Sequence, residues 1–390
     1  MSTALLALAW TVAATWTWLA VRSFRGLGGV RMLRPTGEGP GADPPRMDVV
    51  APAHDEEREV EASMRSILAQ DYPDFRLFAV DDQSTDATPA ILDRVSATDP
   101  RMIVVRGVER PSGWVGKTWA VQQGFDRSDA DWIAFVDADM ELHPEALAVA
   151  VRVARESNAD LVSLLPRPIC RTFWQSVVAP TLGLLLAQLY PLGRVNDPSR
   201  VEALAAGGFI LVRRSAYLLA GGHEAVRSEI VEDINLARRF KAVGARLAVH
   251  PAGDLARTHM YGTFGEIWRG LRKNFYAGME YQPHKFVTTL LVVPIFAWTP
   301  IIALIVGIAT GSTSLTAAGG CGWLGQAAAA LPIIVFARIP WLYAFGLPIG
   351  MSAYLAIGCS SVWHHSRGRV IWKGRHIQRS LVDPARGPSR

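Results

Sequence analysis

The chain has 390 residues, 50% of them hydrophobic, with 40 lysines and arginines against 35 acids and a formal net charge of +5. That length accommodates one large or two ordinary domains with further segments. The basic residues crowd beside apolar runs rather than forming tracts with interleaved aromatics, which excludes a nucleic-acid partner and fits an anionic membrane surface. Cys170, Cys321 and Cys359 are odd in number and far apart, so they are read as reduced thiols and not as a disulfide framework or metal site.

Residues 3–21 carry no charge and would span roughly 28 Å as a helix. A cleaved signal peptide would have a basic start, a shorter apolar run and a small-residue cleavage site, none of which is present. Arg22, Arg25, Arg31 and Arg34 follow at once, placing the next segment in the cytoplasm and the N-terminus outside. Residues 1–22 are therefore expected to be an anchor. Residues 23–46, basic and then rich in Gly and Pro, are expected to be a linker.

From Met47 short apolar strands alternate with amphipathic helices, the pattern of an α/β sheet. Strands are expected at 48–51, 76–80, 102–105, 132–136, 161–165, 209–212 and 246–249. Helices are expected at 57–69, 88–95, 118–127, 144–156 and 232–243, with Pro144 tolerated at a first helical position. Residues 172–192 are strongly apolar but interrupted by Pro180, and read as an interfacial helix or a buried one.

After about residue 285 the chain is membrane-like again, with candidate crossings at 286–310, 322–336 and 341–359. Arg367, Arg369, Lys373, Arg375 and Arg379 make the tail at 361–390 basic. An anchor with its N-terminus outside and three further crossings after it would leave that tail outside, whereas its charge argues for inside. Two full crossings, with one of the last two segments re-entrant or interfacial, would remove the conflict.

The chemistry is expected where the strands end. Residues 132–136, Trp-Ile-Ala-Phe-Val, run straight into Asp137-Ala138-Asp139. Residues i and i+2 of a strand share a face, so the two carboxylates reach a common point at the strand's carboxyl end, where open α/β sheets bind ligands. Two hard oxygen ligands suit Mg²⁺ or Mn²⁺ carrying a diphosphate. The first strand ends in Pro52-Ala53-His54-Asp55-Glu56-Glu57 and the second in Asp81-Asp82-Gln83-Ser84-Thr85-Asp86. Carboxylates there can accept hydrogen bonds from a base and a ribose. Gly113-Trp114-Val115-Gly116-Lys117-Thr118 opens a helix and offers a diphosphate an N-terminus beside a lysine. It lacks the Walker spacing, and no Gly-x-Gly-x-x-Gly follows the first strand. Gly207 and Gly208 precede a strand and allow close approach of a ligand. Glu232-Asp233 opens a helix, either as favourable acid placement or as a general base. His223, His250 and His259 are read as structural, with His259 the weak candidate for an extra metal ligand.

Together these residues resemble the GT-A glycosyltransferases of family 2, over roughly residues 47–282. The family's Pro-Ala-x-Asn-Glu is Pro52-Ala53-His54-Asp55-Glu56 here, with Asp55 in place of the usual asparagine. Its Val-Asp-Asp-x-Ser-x-Asp is intact from Val80 to Asp86, its Asp-x-Asp is Asp137-Ala138-Asp139, and its Glu-Asp is Glu232-Asp233. Residues 68–73, 113–117 and 190–198 are similar to the membrane-anchored members associated with hopanoid and carotenoid gene clusters. The resemblance implies a Rossmann-like mixed sheet at 47–285, flanked by N-terminal and C-terminal transmembrane helices, with two or three membrane segments in 286–360.

It implies an inverting, metal-dependent transferase in the cytoplasmic membrane, with the catalytic domain facing the cytoplasm. The donor would be a nucleotide-diphosphate sugar, most simply a UDP-sugar. The acceptor would be a hydroxyl or carboxyl on a polyprenol, hopanoid or carotenoid-like lipid. Asp233 would be the general base with Glu232 beside it, and Asp139 and Asp137 would hold the metal. Pro52, Asp55, Glu57, Asp82, Lys117, Asp137, Gly207 and Gly208 would bind the nucleotide sugar, and Arg269 and Arg272 would contact the diphosphate. The Gln-x-x-Arg-Trp motif of processive synthases is missing, which implies transfer of one sugar. Two competing readings are a sugar-phosphate nucleotidyltransferase, disfavoured by the acidic first loop, and a non-catalytic membrane scaffold or transport component. The scaffold reading predicts loss of a chemical carboxylate, and none is lost. It also predicts charges within the spans, yet Arg338 is the only charged side chain between Val287 and Trp363.

Overall fold

The computed structural model describes residues 3–259, 261–367, 371–372 and 375–376. It contains two compact units. Of the described residues, 30–169, 192–259 and 375–376 form one, and 3–29, 170–191, 261–367 and 371–372 form the other.

The first unit is built on a seven-stranded mixed sheet. In chain order its strands are β1 (Met47–Ala53), β2 (Phe75–Asp81), β3 (Met102–Arg106), β4 (Trp132–Val136), β5 (Met140–Leu142), β6 (Leu161–Leu165), β7 (Arg167–Pro168), β8 (Phe209–Arg213), β9 (Leu247–Pro251) and β10 (Ala256–Thr258). The large sheet runs β3-β2-β1-β4-β8-β6-β9, and β5-β10-β7 form a small second sheet. Parallel pairing joins β1 to β2 and β4, and β2 to β3, as helical crossovers on both faces require. Every residue of β4 is buried, which explains its unbroken apolar run.

Strand β8 is antiparallel to β4, with Val136 opposite Phe209. Its amino end therefore lies beside the carboxyl end of β4, and the Asp137 N–H donates to the Gly208 carbonyl at 3.2 Å. That reversal brings Gly207 and Gly208 to the edge where β1, β2 and β4 end. The helices Gly116–Phe125 and Glu232–Ala242 both begin near that edge.

The Gly/Pro-rich segment after residue 30 is not a slack linker. Leu33 is buried and its N–H donates to the Pro251 carbonyl. Glu145 accepts the N–H groups of Thr36 and Gly37, Arg152 donates to the Glu38 and Gly39 carbonyls and to Thr36 Oγ1, and Arg155 donates to Ala42 and Asp43. Composition rich in Gly and Pro removes regular secondary structure without removing attachment. Arg152→Ala is expected to loosen this strap by about 1–2 kcal/mol, as loss of a few hydrogen bonds does. Faster amide exchange confined to residues 33–43 would be the readout.

In the second unit, four helices among the described residues are long and apolar enough to cross a membrane: Thr3–Gly26, Pro283–Thr310, Thr313–Phe336 and Trp341–Ser366. The last opens with a 3₁₀ turn, Trp341–Gly346. The third begins at Thr313, upstream of the expected start. Gly319 and Gly322 are positions of close helix approach, since a Cβ on Gly319 would meet the Leu304 backbone and one on Gly322 the Pro300 ring. Pro300 cannot donate to the Phe296 carbonyl, which instead accepts from Trp16 Nε1 and Gln326 Nε2. The helix Phe173–Leu189 starts with a Thr172/Gln175 capping box. It buries Val177, Val178 and Leu184 in this unit, while Phe173 and Leu189 remain exposed. The expected basic tail beyond residue 376 lies outside the described residues.

Candidate active site

The two edges of the large sheet treat their acids differently. At the amino edge, Asp48 is wholly buried yet fully answered: Arg76 grips both oxygens at 2.9 and 2.8 Å, and Ser128 and the Asp129 and Ala130 N–H groups also donate. Burial pushes its pKa up, but these donors outweigh it and hold the carboxyl below its usual range. At the carboxyl edge the balance reverses. Burial, with the charges of Asp137 and Glu56, pushes Asp139 up to about 7. The charge of Lys117 and a hydrogen bond from Thr258 offset this only in part.

A small cavity opens there, lined by Pro52, Lys117, Asp137, Gly207, Glu232 and Asp233, together with apolar residues of β4 and β8 and with His223. Its centre is Lys117. The ammonium lies 2.8 Å from both Asp137 Oδ1 and Glu232 Oε1. Burial would lower its pKa, but the two carboxylates reverse the shift and hold it well above the ordinary value. Asp233 sits beside this bridge, with Oδ2 accepting the Gly207 N–H at 2.9 Å and Oδ1 accepting that of Ile234 at 2.8 Å. Burial and the neighbouring Glu232 charge push Asp233 up to about 6, against the pull of Lys117.

Gly207 has a packing reason to be glycine. A Cβ there would lie 2.8 Å from Lys117 Nζ and 3.4 Å from Asp233 Oδ2. Gly207→Ala is expected to displace the ammonium and cost about 10²-fold in turnover, the scale of a 1 Å misplacement. The melting temperature should stay near that of the parent, because the obstructing atom ends a flexible side chain.

Asp139 adjoins the cavity. Its Oδ2 accepts from Thr258 Oγ1 at 3.3 Å, and its carbonyl accepts the His259 N–H. The His259 ring is engaged by Glu141, with Nε2 2.6 Å from Oε1. Among the described residues, no three His, Cys, Asp or Glu side chains could hold a metal ion by themselves. The hard carboxylate oxygens of Asp137 and Asp139 are of the kind that Mg²⁺ and Mn²⁺ take when shared with a diphosphate.

The remaining acids form a second group. Asp55 Oδ1 accepts the Thr85 N–H at 2.7 Å, Glu57 Oε2 accepts that of Ala87 at 3.1 Å, and the Asp82 carbonyl lies 2.8 Å from His54 Nδ1. These bonds tie the loops after β1 and β2 together. Asp55 has φ 50°, a left-handed conformation that Asn and Asp adopt more readily than other side chains. The Asn-to-Asp difference is accommodated for that reason. Gly208 lies one residue from the cavity wall, where a Cβ would meet Met140 Sδ at 2.8 Å. Arg269 and Arg272 belong to the helix Phe264–Gly278 of the other unit, where Arg272 donates to His364 Nε2 at 3.1 Å. His223, read as structural from the sequence, also lines the cavity. Only its position after Gly221-Gly222 marked it.

Residues 48–218 match the model of glycosyl transferase family 2. The α/β unit carries a family 2 glycosyltransferase domain. Three of the four motifs fall inside the matched segment of this family 2 domain, and Glu232-Asp233 lies just beyond it. The 4,4'-diaponeurosporenoate glycosyltransferase of Staphylococcus aureus is 25% identical over 250 residues, 63% of this chain and 65% of the relative. The enzyme of the same description from Staphylococcus haemolyticus is 24% identical over 249 residues. The chain thus aligns with slightly less than two thirds of these relatives' length. A mannosyltransferase of Pyrobaculum calidifontis, solved in complex with GDP-Man and Mn²⁺, superposes with a TM-score of 0.57 at 20% identity, covering 91% of this chain and 99% of that one. The family 2 domain accordingly has the GT-A fold.

Proposed function

We propose that this chain moves a single sugar from a nucleotide-diphosphate sugar to a hydroxyl or carboxyl of a lipid-type acceptor, with inversion and with a divalent metal. The observation that carries the reading is the convergence of Asp137, Lys117, Glu232 and Asp233 on one cavity at the sheet's ligand-binding edge. A lipid acceptor is supported by the four apolar helices and by the diaponeurosporenoate relatives. The positive-inside distribution supports a cytoplasmic-facing domain in a multi-pass membrane protein.

In the reaction, Asp233 takes the proton of an acceptor hydroxyl as that oxygen forms its bond to the anomeric carbon. The bond from that carbon to the diphosphate oxygen breaks on the opposite face, and its electron pair leaves with the nucleoside diphosphate. Asp139 and Asp137 would hold the metal, which supplies charge neutralisation at the departing diphosphate. Lys117 adds a fixed positive charge beside it and orients Glu232. Asp55, Glu57 and Asp82 lie on the loops after β1 and β2, where they would meet base and ribose.

The test is nucleoside diphosphate release by full-length protein in detergent. The donor panel would include UDP-glucose and GDP-mannose, with Mn²⁺ or Mg²⁺ and with or without lipid extract. Lipid-stimulated release from one donor supports the reading. Binding without release from any donor would overturn it in favour of a scaffold.

A further inference from the structure

We propose that His223 reads the transferred sugar, its neutral imidazole donating the Nε2 proton to one hydroxyl of the donor in the cavity it shares with Lys117, Asp137 and Asp233. The inference deepens the transferase reading and rests on it.

The argument begins with a turn. Gly221 and Gly222 have φ of 85° and 56°, and a Cβ on Gly222 would lie 2.8 Å from the Tyr217 ring. This glycine pair folds the chain back so that His223 meets Tyr217, both of them buried. The His223 backbone N–H donates to the Tyr217 hydroxyl at 2.8 Å, and the same oxygen is 2.8 Å from Nδ1. A tyrosine hydroxyl has one proton to give, and among its described hydrogen bonds the acceptor is Nδ1. Nδ1 is therefore unprotonated, and the ring's proton is on Nε2.

Burial holds His223 down to about 4, against Glu232 and with Lys117, so at neutral pH the ring is a neutral donor and not a cation. Its orientation is fixed by Phe135, edge-on at 4.9 Å, as well as by Tyr217. The other polar groups of the cavity are engaged: Lys117 bridges Asp137 and Glu232, and Asp233 accepts from Gly207 and Ile234. His223 lines the same cavity with Nδ1 occupied and Nε2 as its remaining polar atom. A hydroxyl is the matching acceptor in the proposed donor. A site built to hydrogen-bond a hydroxyl discriminates against analogues lacking it.

The experiment compares the preferred donor with its monodeoxy analogues, using full-length protein in detergent and reading kcat/KM. His223→Asn can keep a bond to Tyr217 while losing the Nε2 donor, whereas His223→Gln places an amide N–H near the Nε2 position. His223→Asn is expected to lower kcat/KM for the parent donor about tenfold, the effect of one hydrogen bond. One deoxy analogue should be used equally by wild type and variant, and His223→Gln should recover most of the loss. Tyr217→Phe, which frees the tautomer, should show the same donor-specific pattern and serves if His223→Asn fails to fold. Uniform losses across the parent and every analogue would reduce His223 to a structural residue and overturn the inference alone. Absence of release by wild type with any donor would overturn the transferase reading and this inference with it.

Discussion

Asp233→Asn is expected to cut nucleoside diphosphate release roughly 10²–10⁴-fold, the contribution of a positioned general base. Donor binding should stay nearly intact. Asparagine preserves the shape, and its carbonyl oxygen can still accept the Gly207 N–H that fixes the wild-type side chain. What it loses is basicity. Burial and the Glu232 charge have raised Asp233 to about 6, close to operating pH, where a base is both available and strong enough to take a proton. Because the working form is the ionised one, wild-type kcat/KM should fall as pH drops below about 6, and the residual activity of the variant should lack that limb. The size of the loss also reports on the acceptor. A hydroxyl needs the base, whereas a carboxyl is already ionised at neutral pH and would make Asp233→Asn far milder. Near-normal turnover with a hydroxyl acceptor would remove Asp233 from the mechanism.

The sheet was largely legible because its central strands are buried on both faces, and β4 and β6 fall at their expected bounds. The small sheet was not. Strands of two or three residues such as Arg167–Pro168 and Ala256–Thr258 have no periodicity to read. Helix starts shifted where tertiary bonds compete with local signals. The helix after β1 begins at Val60 and not at Glu57, whose N–H and carboxylate are bonded to the Asp86–Ala87 turn. The helix carrying Lys117 begins two residues early, at Gly116, because the preceding Val115 N–H is held by the Arg227 carbonyl. At the site, motif spacing placed each acid at the correct sheet edge. It could not show that Lys117 joins Asp137 to Glu232, a relation between side chains distant in sequence. Nor could it separate Asp55 and Glu57, bonded to a neighbouring loop, from the carboxylates that face the cavity.

Asp139→Asn is expected to reduce metal-supported turnover by at least about 10²-fold and, in metal-free protein, to raise the melting temperature. The two effects have one cause. A carboxyl held near 7 in the folded state and near 3.8 when unfolded gives the native protein more bound protons between those values. Its contribution to stability therefore declines as pH rises from about 4 to 7. Above that range the ionised group remains a net cost, repelled by Asp137 and Glu56. Asparagine removes this cost along with the charge that a divalent ion would answer. Wild-type protein should gain thermal stability on addition of Mn²⁺, since an ion that binds only the native state stabilises it by mass action, and Asp139→Asn should gain little. Thermal melts at pH 8, with Mn²⁺ and with chelator, separate the contributions without requiring the acceptor. A variant no more stable than wild type in chelator, yet equally stabilised by Mn²⁺, would show that Asp139 neither bears the repulsion nor holds the ion.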